Sequence, residues 1–221
     1  MTVARKSSRR DCDRHSRAAG VPPPQKNLQI ATAAAVESLR TQSAEQMLRL
    51  GAEKTVDGCR LAVLESAFDV DVSTGCVRTS SGCEVSPQWR ILALHYLASR
   101  CHPQTLTPRI IFANIPSARA YARVYQQRVI DRLCATAGRD AESLLAGAKR
   151  LNGRTVQGGD LAMDFDVFPR IPLRLIWYGP DEEFAPSATL LLPANIESYL
   201  PVEDIVVLSE RLVSRLAGKD F

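Results

Sequence analysis

Apolar residues recur at helical spacing near both ends of the folded part of the chain. Between residues 28 and 50 they fall near one face, which predicts a helix that ends at Gly51. A final helix begins at Pro201, with acidic residues in its first turn and arginines near its end, as the helix dipole favours. These two segments therefore predict amphipathic helices that each bury one face.

The segment after Ser86 predicts a different kind of helix. Ser86 suits the N-cap, Pro87 suits the first helical position, and residues 89–98 are apolar nearly all the way round. We therefore expect a buried central helix with Trp89 in the core, ending before residues 102–103.

Short apolar runs predict strands on both sides of this helix. They occupy residues 61–64, 68–72, 76–79, 110–112, 161–167, 173–178 and 188–192. Two more helices are predicted from Ser117 to about Ala137 and from about Asp140 to Leu151. Because the strands are grouped rather than alternating with helices, the pattern favours an α+β fold over a doubly wound α/β fold.

The predicted architecture is an antiparallel β-meander packed with a buried central helix and flanking helices. Residues 1–26 lack apolar periodicity and contain three consecutive prolines, 22–24, near their end, so we expect a disordered basic tail. Residues 27–221 are then expected to form a single α+β domain. No apolar stretch reaches the ~18 residues that a membrane-spanning helix needs.

The 221 residues carry a formal net charge of +4, but the charge is unevenly distributed. Residues 86–154 hold 11 Lys and Arg against 3 Asp and Glu, whereas residues 155–221 hold 5 against 11. The two regions either pack together and neutralise each other, or the basic one binds an anionic ligand or nucleic acid.

Six cysteines show no metal-site spacing, and none forms a Cys-x-x-Cys pair. We therefore expect no bound metal. No secretory apolar region is visible, so we expect reduced thiols and a cytoplasmic protein without a membrane partner.

Five segments of the chain are informative as a set: residues 89–97, 158–160, 168–173, 181–186 and 199–204. In this order they resemble a bacterial and archaeal family, domain of unknown function 3786, and the resemblance covers roughly residues 28–217. Some members are fused to a small four-cysteine iron–sulfur domain of the kind found beside corrinoid proteins. The resemblance implies fold boundaries rather than an activity, and the cofactor stays unknown.

Two sets of residues are candidates for acid–base chemistry. Asp181, Glu182 and Glu183 follow one another between two strands, where mutual repulsion can raise a carboxyl pKa. His95 lies at the flank of the central helix and can serve as a base or as a structural hydrogen-bonding group. The alternative for the three carboxylates is a solvated or arginine-bound turn.

Four further residues are candidates for ligand binding. Arg128 and Arg132 fall on or beside the apolar face of the 117–137 helix, so each needs an anionic partner or must extend to solvent. We expect at least one of them to contact the Asp181–Glu183 loop and to hold Phe184 inward. Asp160, in a Gly-Gly-Asp turn, and Arg170 complete the set.

Three functions fit these observations. The favoured one is an accessory protein that binds a small molecule or a protein partner. The alternative is an enzyme that uses the Asp181–Glu183 loop with His95. Nucleic-acid binding through the tail and the basic middle ranks third, because an aromatic content of 6% offers few stacking platforms.

Overall fold

A computed structural model describes residues 26–100 and 108–221. The expected tail therefore lies, apart from Lys26, outside the described residues. The described chain has the predicted α+β architecture, with two antiparallel sheets and helices between and around them.

The helical segments are numbered here in chain order. They are α1 (Lys26–Arg40), α2 (Ala44–Arg49), α3 (Pro87–Ala98), α4 (Ala122–Tyr125), α5 (Arg132–Ala135), α6 (Ala141–Arg150) and α7 (Val202–Leu216). Short 3₁₀ turns occupy Phe112–Asn114, Pro116–Tyr121 and Ile196–Ser198, and a π-helix occupies Gln126–Asp131.

The smaller sheet is a meander of consecutive strands. It contains β1 (Glu53–Lys54), β2 (Gly58–Val63), β3 (Ser66–Asp71) and β4 (Val77–Thr79), in that order. Cross-strand pairs fix its register, for example Leu61 opposite Phe68 and Val70 opposite Val77.

The larger sheet has the order β5-β9-β8-β7-β6. Its strands are β5 (Arg109–Ile111), β6 (Arg154–Val156), β7 (Leu161–Phe168), β8 (Ile171–Tyr178) and β9 (Ser187–Pro193). Strands β7, β8 and β9 form the predicted meander, and β6, which was not predicted, extends it at the edge of β7. The short strand β5 joins the free edge of β9 and so ties the middle of the chain to its last third.

Helix α3 is the buried centre of the fold, as predicted. Trp89 is 1% exposed, and its ring makes edge contacts with Phe68 of β3 and Phe168 of β7. The same side chain therefore contacts both sheets. Leu92, Leu94 and other residues on several sides of α3 are also fully buried.

Two predicted helices are interrupted. The 28–50 segment breaks after Arg40, where Ser43 starts α2 by accepting a hydrogen bond from the Gln46 backbone NH at 3.1 Å. The 117–137 segment passes through 3₁₀, α, π and α geometry. A uniform 100° wheel therefore misplaces its side chains: Tyr121 is 38% exposed while Tyr125 is buried.

Among the residues that the structure describes, no helix has the length and apolar character needed to cross a lipid bilayer. The described cysteines Cys59, Cys76 and Cys134 are free thiols, whereas Cys83 is disulfide-bonded. The expectation that the thiols are all reduced is therefore wrong for Cys83.

Candidate functional site

The candidate ligand site is a groove between α1, the β3–β4 turn and the start of α3. We call it the α1–α3 groove; its volume is about 800 Å³, within the range typical of small-molecule sites. Its lining residues are Leu28, Gln29, Thr32, Ala33, Val36, Arg40, Thr74, Cys76, Val77, Glu84, Val85, Pro87 and Arg90. About half of these residues are apolar; the rest are polar or charged and include two arginines and one carboxylate, Glu84.

The β3–β4 turn forms one wall and is itself tightly held. The Asp71 carboxylate accepts hydrogen bonds from Ser73 and Thr74, and these lower the pKa of Asp71 to about 2. Gly75 follows with a φ of +67° and lies so close to α1 that an added Cβ would stand 2.2 Å from Val36 Cγ2. Only glycine allows both this conformation and this approach.

Two arginines fasten the same turn from opposite sides. Arg40 of α1 donates to the Ser73 carbonyl through Nε at 3.0 Å and Nη2 at 2.7 Å. Arg90 of α3 donates to the Gly75 carbonyl through Nε at 2.8 Å. In the described part of the chain, no further hydrogen bond occupies the two amino groups of Arg90. They are available to an anion in the groove, and the half-exposed thiol of Cys76 lies on the same lining.

A second feature is the hydrogen bond between His95 of α3 and Asp204 of α7. Because a carboxylate only accepts hydrogen bonds, Nδ1 of His95 donates to Asp204, and Nε2 takes no part in this hydrogen bond. The His95 side chain is 26% exposed and lines a shallow concavity of about 260 Å³ together with Ser38, Ser99 and Pro201. The predicted candidate His95 thus has a carboxylate partner, but a different one from that expected.

Three of the segments that resemble the family meet beside this pair. Tyr96, which follows His95, stacks on Phe168 at 4.7 Å and on Tyr199 at 6.0 Å between ring centroids. The backbone NH of Arg170 donates to the Tyr96 hydroxyl at 3.2 Å. These three segments therefore form one continuous part of the structure.

The Asp181–Glu183 loop does not join His95. Asp181 instead accepts hydrogen bonds from the backbone NH groups of Glu183 and Phe184, and these hold the pKa of Asp181 below its usual value. This direction favours the alternative of a solvated turn over an acid–base role for Asp181. All three carboxylate side chains are exposed, and Phe184 is 68% exposed rather than turned inward. The loop is a self-contained turn.

The expected contact of Arg128 with that loop is also wrong. Arg128 binds Glu210 of α7, with Nε 2.5 Å from Oε1 and Nη2 3.0 Å from Oε2. Glu210 is 6% exposed, so this pairing compensates a nearly buried carboxylate. Within the described residues, Arg132 makes no contact with residues 181–183 either. The roles of Arg128 and Arg132 in ligand binding stay predictions.

Asp160 and Arg170 both hold backbone in place. The Asp160 carboxylate accepts from the Gly179 NH at 2.8 Å, which ties the β6–β7 turn to the end of β8. Arg170 donates through Nε to the Arg49 carbonyl at 3.1 Å, which ties the β7–β8 turn to α2. These contacts leave the predicted ligand-binding roles of the two residues as predictions.

Part of the uneven charge along the chain is neutralised by contacts between its two regions. Arg109 binds the buried Asp164, and Arg128 binds Glu210, so two basic residues of the 86–154 region meet carboxylates of the 155–221 region. Arg174, from the acidic region itself, also binds Asp164. The two contacts between regions match the neutralising interpretation. Among the described residues, no group of three or more His, Cys, Asp or Glu side chains could hold a metal ion.

The groove residues Arg40 and Arg90 and the partners Asp204 and Glu210 were missed as site residues. One usable signal for Arg90 was a charged side chain inside a helix that is otherwise apolar nearly all round. Asp204 and Glu210 carried no comparable local signal, because the sequence of α7 has the pattern of an ordinary amphipathic helix.

In the comparison with known proteins, the chain matches one sequence family. No curated protein and no solved structure shows a significant match to it. The expected family resemblance is confirmed: the model of the family described as "Domain of unknown function (DUF3786)" matches residues 43–215, and the chain belongs to that family.

Proposed function

We propose that this protein binds a small organic anion with an apolar body in the α1–α3 groove. The observation that carries the proposal is a cavity of about 800 Å³ with an apolar part, formed by residues such as Leu28, Val36 and Val85, where Arg90 presents amino groups without a described partner. Burial of apolar ligand surface supplies affinity, and a guanidinium fixes the orientation of an anionic group. The cytoplasmic location and the accessory role expected from the sequence stay predictions.

The wall opposite α1 supports a preformed site. Arg40 and Arg90 hold the two carbonyls of the β3–β4 turn, and Gly75 packs against Val36. A ligand therefore meets a wall that is already ordered, which lowers the entropic cost of binding.

A fluorescent amphipathic anion, anilinonaphthalene sulfonate, tests this proposal with the full chain. Saturable binding is expected, and Arg90→Met should weaken it about tenfold, since a charge-assisted contact is lost. The control is Arg78→Met, which removes the same charge from exposed β4 outside the groove. Bound dye should also slow alkylation of Cys76. Equal affinities of both variants, or unchanged alkylation, contradict the proposal.

The second candidate function is acid–base catalysis by His95, and the hydrogen bond to Asp204 favours it. The carboxylate fixes the ring and stabilises the imidazolium that forms when Nε2 accepts a proton. In hydrolysis of an activated ester, Nε2 accepts a proton from water as the water oxygen bonds to the carbonyl carbon. The tetrahedral intermediate then collapses with cleavage of the bond to the leaving oxygen, which takes the proton back from the imidazolium. With p-nitrophenyl acetate, His95→Gln and Asp204→Asn should both slow release of p-nitrophenol. Wild-type rates in both variants would contradict this function.

A further inference from the structure

The π-helix and α7 bring three arginines around one carboxylate, away from the α1–α3 groove. Arg128 belongs to the π-helix, Arg132 begins α5, and Arg211 follows Glu210 on α7. Glu210 is the nearly buried carboxylate of this group, and both of its oxygens accept from Arg128. We call these four residues the arginine cluster.

The arginine cluster contains three guanidinium groups but only one carboxylate, so it carries excess positive charge. The side chains of Arg132 and Arg211 make no hydrogen bond or ion pair among the residues that the structure describes. The Nε of Arg211 is shielded from solvent and has no acceptor. An unmade hydrogen bond of this kind costs free energy, which a bound acceptor would recover.

The electrostatic environment of Arg211 indicates the sign of the missing partner. Burial lowers the pKa of Arg211, Glu210 opposes that effect, and the nearby charges of Arg132 and Arg128 lower the pKa further. The neighbouring carboxylate Asp131 accepts a hydrogen bond from Gln126 at 2.9 Å. Repulsion among the three guanidinium groups would therefore be relieved by a bound anion.

The backbone at the cluster is also unusual. A π-helix is rare, and when it interrupts an α-helix it is frequently found at functional sites. Here it spans Gln126–Asp131, carries Arg128, and ends immediately before Arg132. Its wider turn sets the positions of both side chains relative to α7.

We propose that Arg132 and Arg211, with the remaining amino group of Arg128, bind a phosphate group. Guanidinium groups match phosphate oxygens in charge and in geometry, because each can donate two parallel hydrogen bonds. This site is separate from the groove, so it stands or falls independently of the proposed function.

Titration of the full chain with inorganic pyrophosphate and with inorganic phosphate tests the site. Isothermal calorimetry at constant ionic strength should show saturable binding, tighter for pyrophosphate. The pair Arg132→Met and Arg211→Met should weaken it at least about tenfold. The control pair, Arg119→Met and Arg123→Met, removes the same charge from exposed positions on the preceding turns and should change affinity less than about twofold.

Three outcomes would overturn the site. They are no saturable binding by the wild-type chain, equal weakening by both variant pairs, and binding of an oligonucleotide without binding of pyrophosphate. Arg132→Lys with Arg211→Lys covers the case in which the methionine pair does not fold. The lysines keep the charge but lose the two-pronged geometry, so several-fold weaker binding is expected, and unchanged affinity contradicts the proposal.

Discussion

The hydroxyl of Tyr96 donates a hydrogen bond to the carbonyl of Leu50 at 2.6 Å and accepts one from the backbone NH of Arg170. A fully buried side chain of the central helix thereby joins the end of α2 to the β7–β8 turn. Both backbone groups rely on this hydroxyl, which has no exposure to solvent.

Replacing Tyr96 with Phe removes that hydroxyl and nothing else. The free energy of unfolding should fall by about 1–3 kcal/mol, because two backbone groups lose a partner. Urea unfolding followed by circular dichroism measures the change. Tyr178→Phe is the control on a half-exposed tyrosine of β8, and a loss as large there would contradict this explanation.

The ring contacts of Trp89 predict a large effect on stability. Trp89→Ala should cost roughly 3–5 kcal/mol, because it leaves a cavity between Phe68 and Phe168. Denaturant unfolding checks this value. A variant within about 1 kcal/mol of the wild type would mean that α3 is not the shared core of the two sheets.

The Arg128–Glu210 pair should appear as coupling in a double-mutant cycle. Arg128→Met strands a nearly buried carboxylate and should cost about 1–3 kcal/mol, a value reduced because Arg128 is 55% exposed. Adding Glu210→Gln should cost less than the sum of the single losses. Strictly additive losses would exclude the pairing. Arg123→Met, on the exposed side, should change stability by less than about 0.5 kcal/mol.

The buried Asp164 should make stability depend on pH. Burial acts to raise the pKa of Asp164, but the hydrogen bond from Arg174 and the charge of Arg109 outweigh it and lower that pKa. The stabilisation is therefore present above the unfolded pKa of about 3.9 and is lost as the pH falls through the lower folded value.

Asp164→Asn should cost about 2–4 kcal/mol at pH 7, because it leaves Arg109 and Arg174 without their carboxylate. The difference from the wild type should shrink below about pH 3. Asp166→Asn, whose Arg154 pair is half-exposed, is the matched control and should cost less than about 1 kcal/mol. A difference that does not vary with pH would be incompatible with this origin.

Substitutions at Gly75 and Gly82 can distinguish the stability cost of backbone strain from that of steric contact. Gly75→Ala places a methyl group against Val36 at a positive φ, and we expect a loss of about 1–3 kcal/mol together with altered dye binding in the groove. Gly82 has a φ of +85° with nothing near its would-be Cβ, so Gly82→Ala reports the backbone cost alone. Equal losses at both positions would show that contact with α1 contributes nothing.

Local pattern accounts for the fold better than for the site. The start of α3 at Pro87, its apolar surface and the alternation in the last strands depend on residues near one another in sequence, so these elements could be predicted. Ser86 occupies the predicted N-cap position, but its side chain makes no capping hydrogen bond. The start of α2 had a local signal, the Ser43 N-cap, that the prediction of a continuous helix did not use. The π-helix was missed because apolar spacing was fitted to a uniform α-helical period.

The partners of the candidate residues depend on tertiary packing. Arg128 binds a carboxylate 82 positions later, and His95 binds one 109 positions later. The sequence placed both side chains on flanks where a partner was needed. It did not show that α7, rather than the acidic loop, would supply the carboxylates, since many acidic residues in the last third were equally available.

Trp89 has a consequence for the dynamics of the chain. Because one indole ring packs against a strand from each sheet, opening either sheet removes part of the environment that the other needs. Amide protons of α3 should then be among the slowest to exchange with solvent deuterium, and those of β3 and β7 should lose protection in the same step. The two sheets would in that case form one cooperative unit whose opening reports on the whole fold.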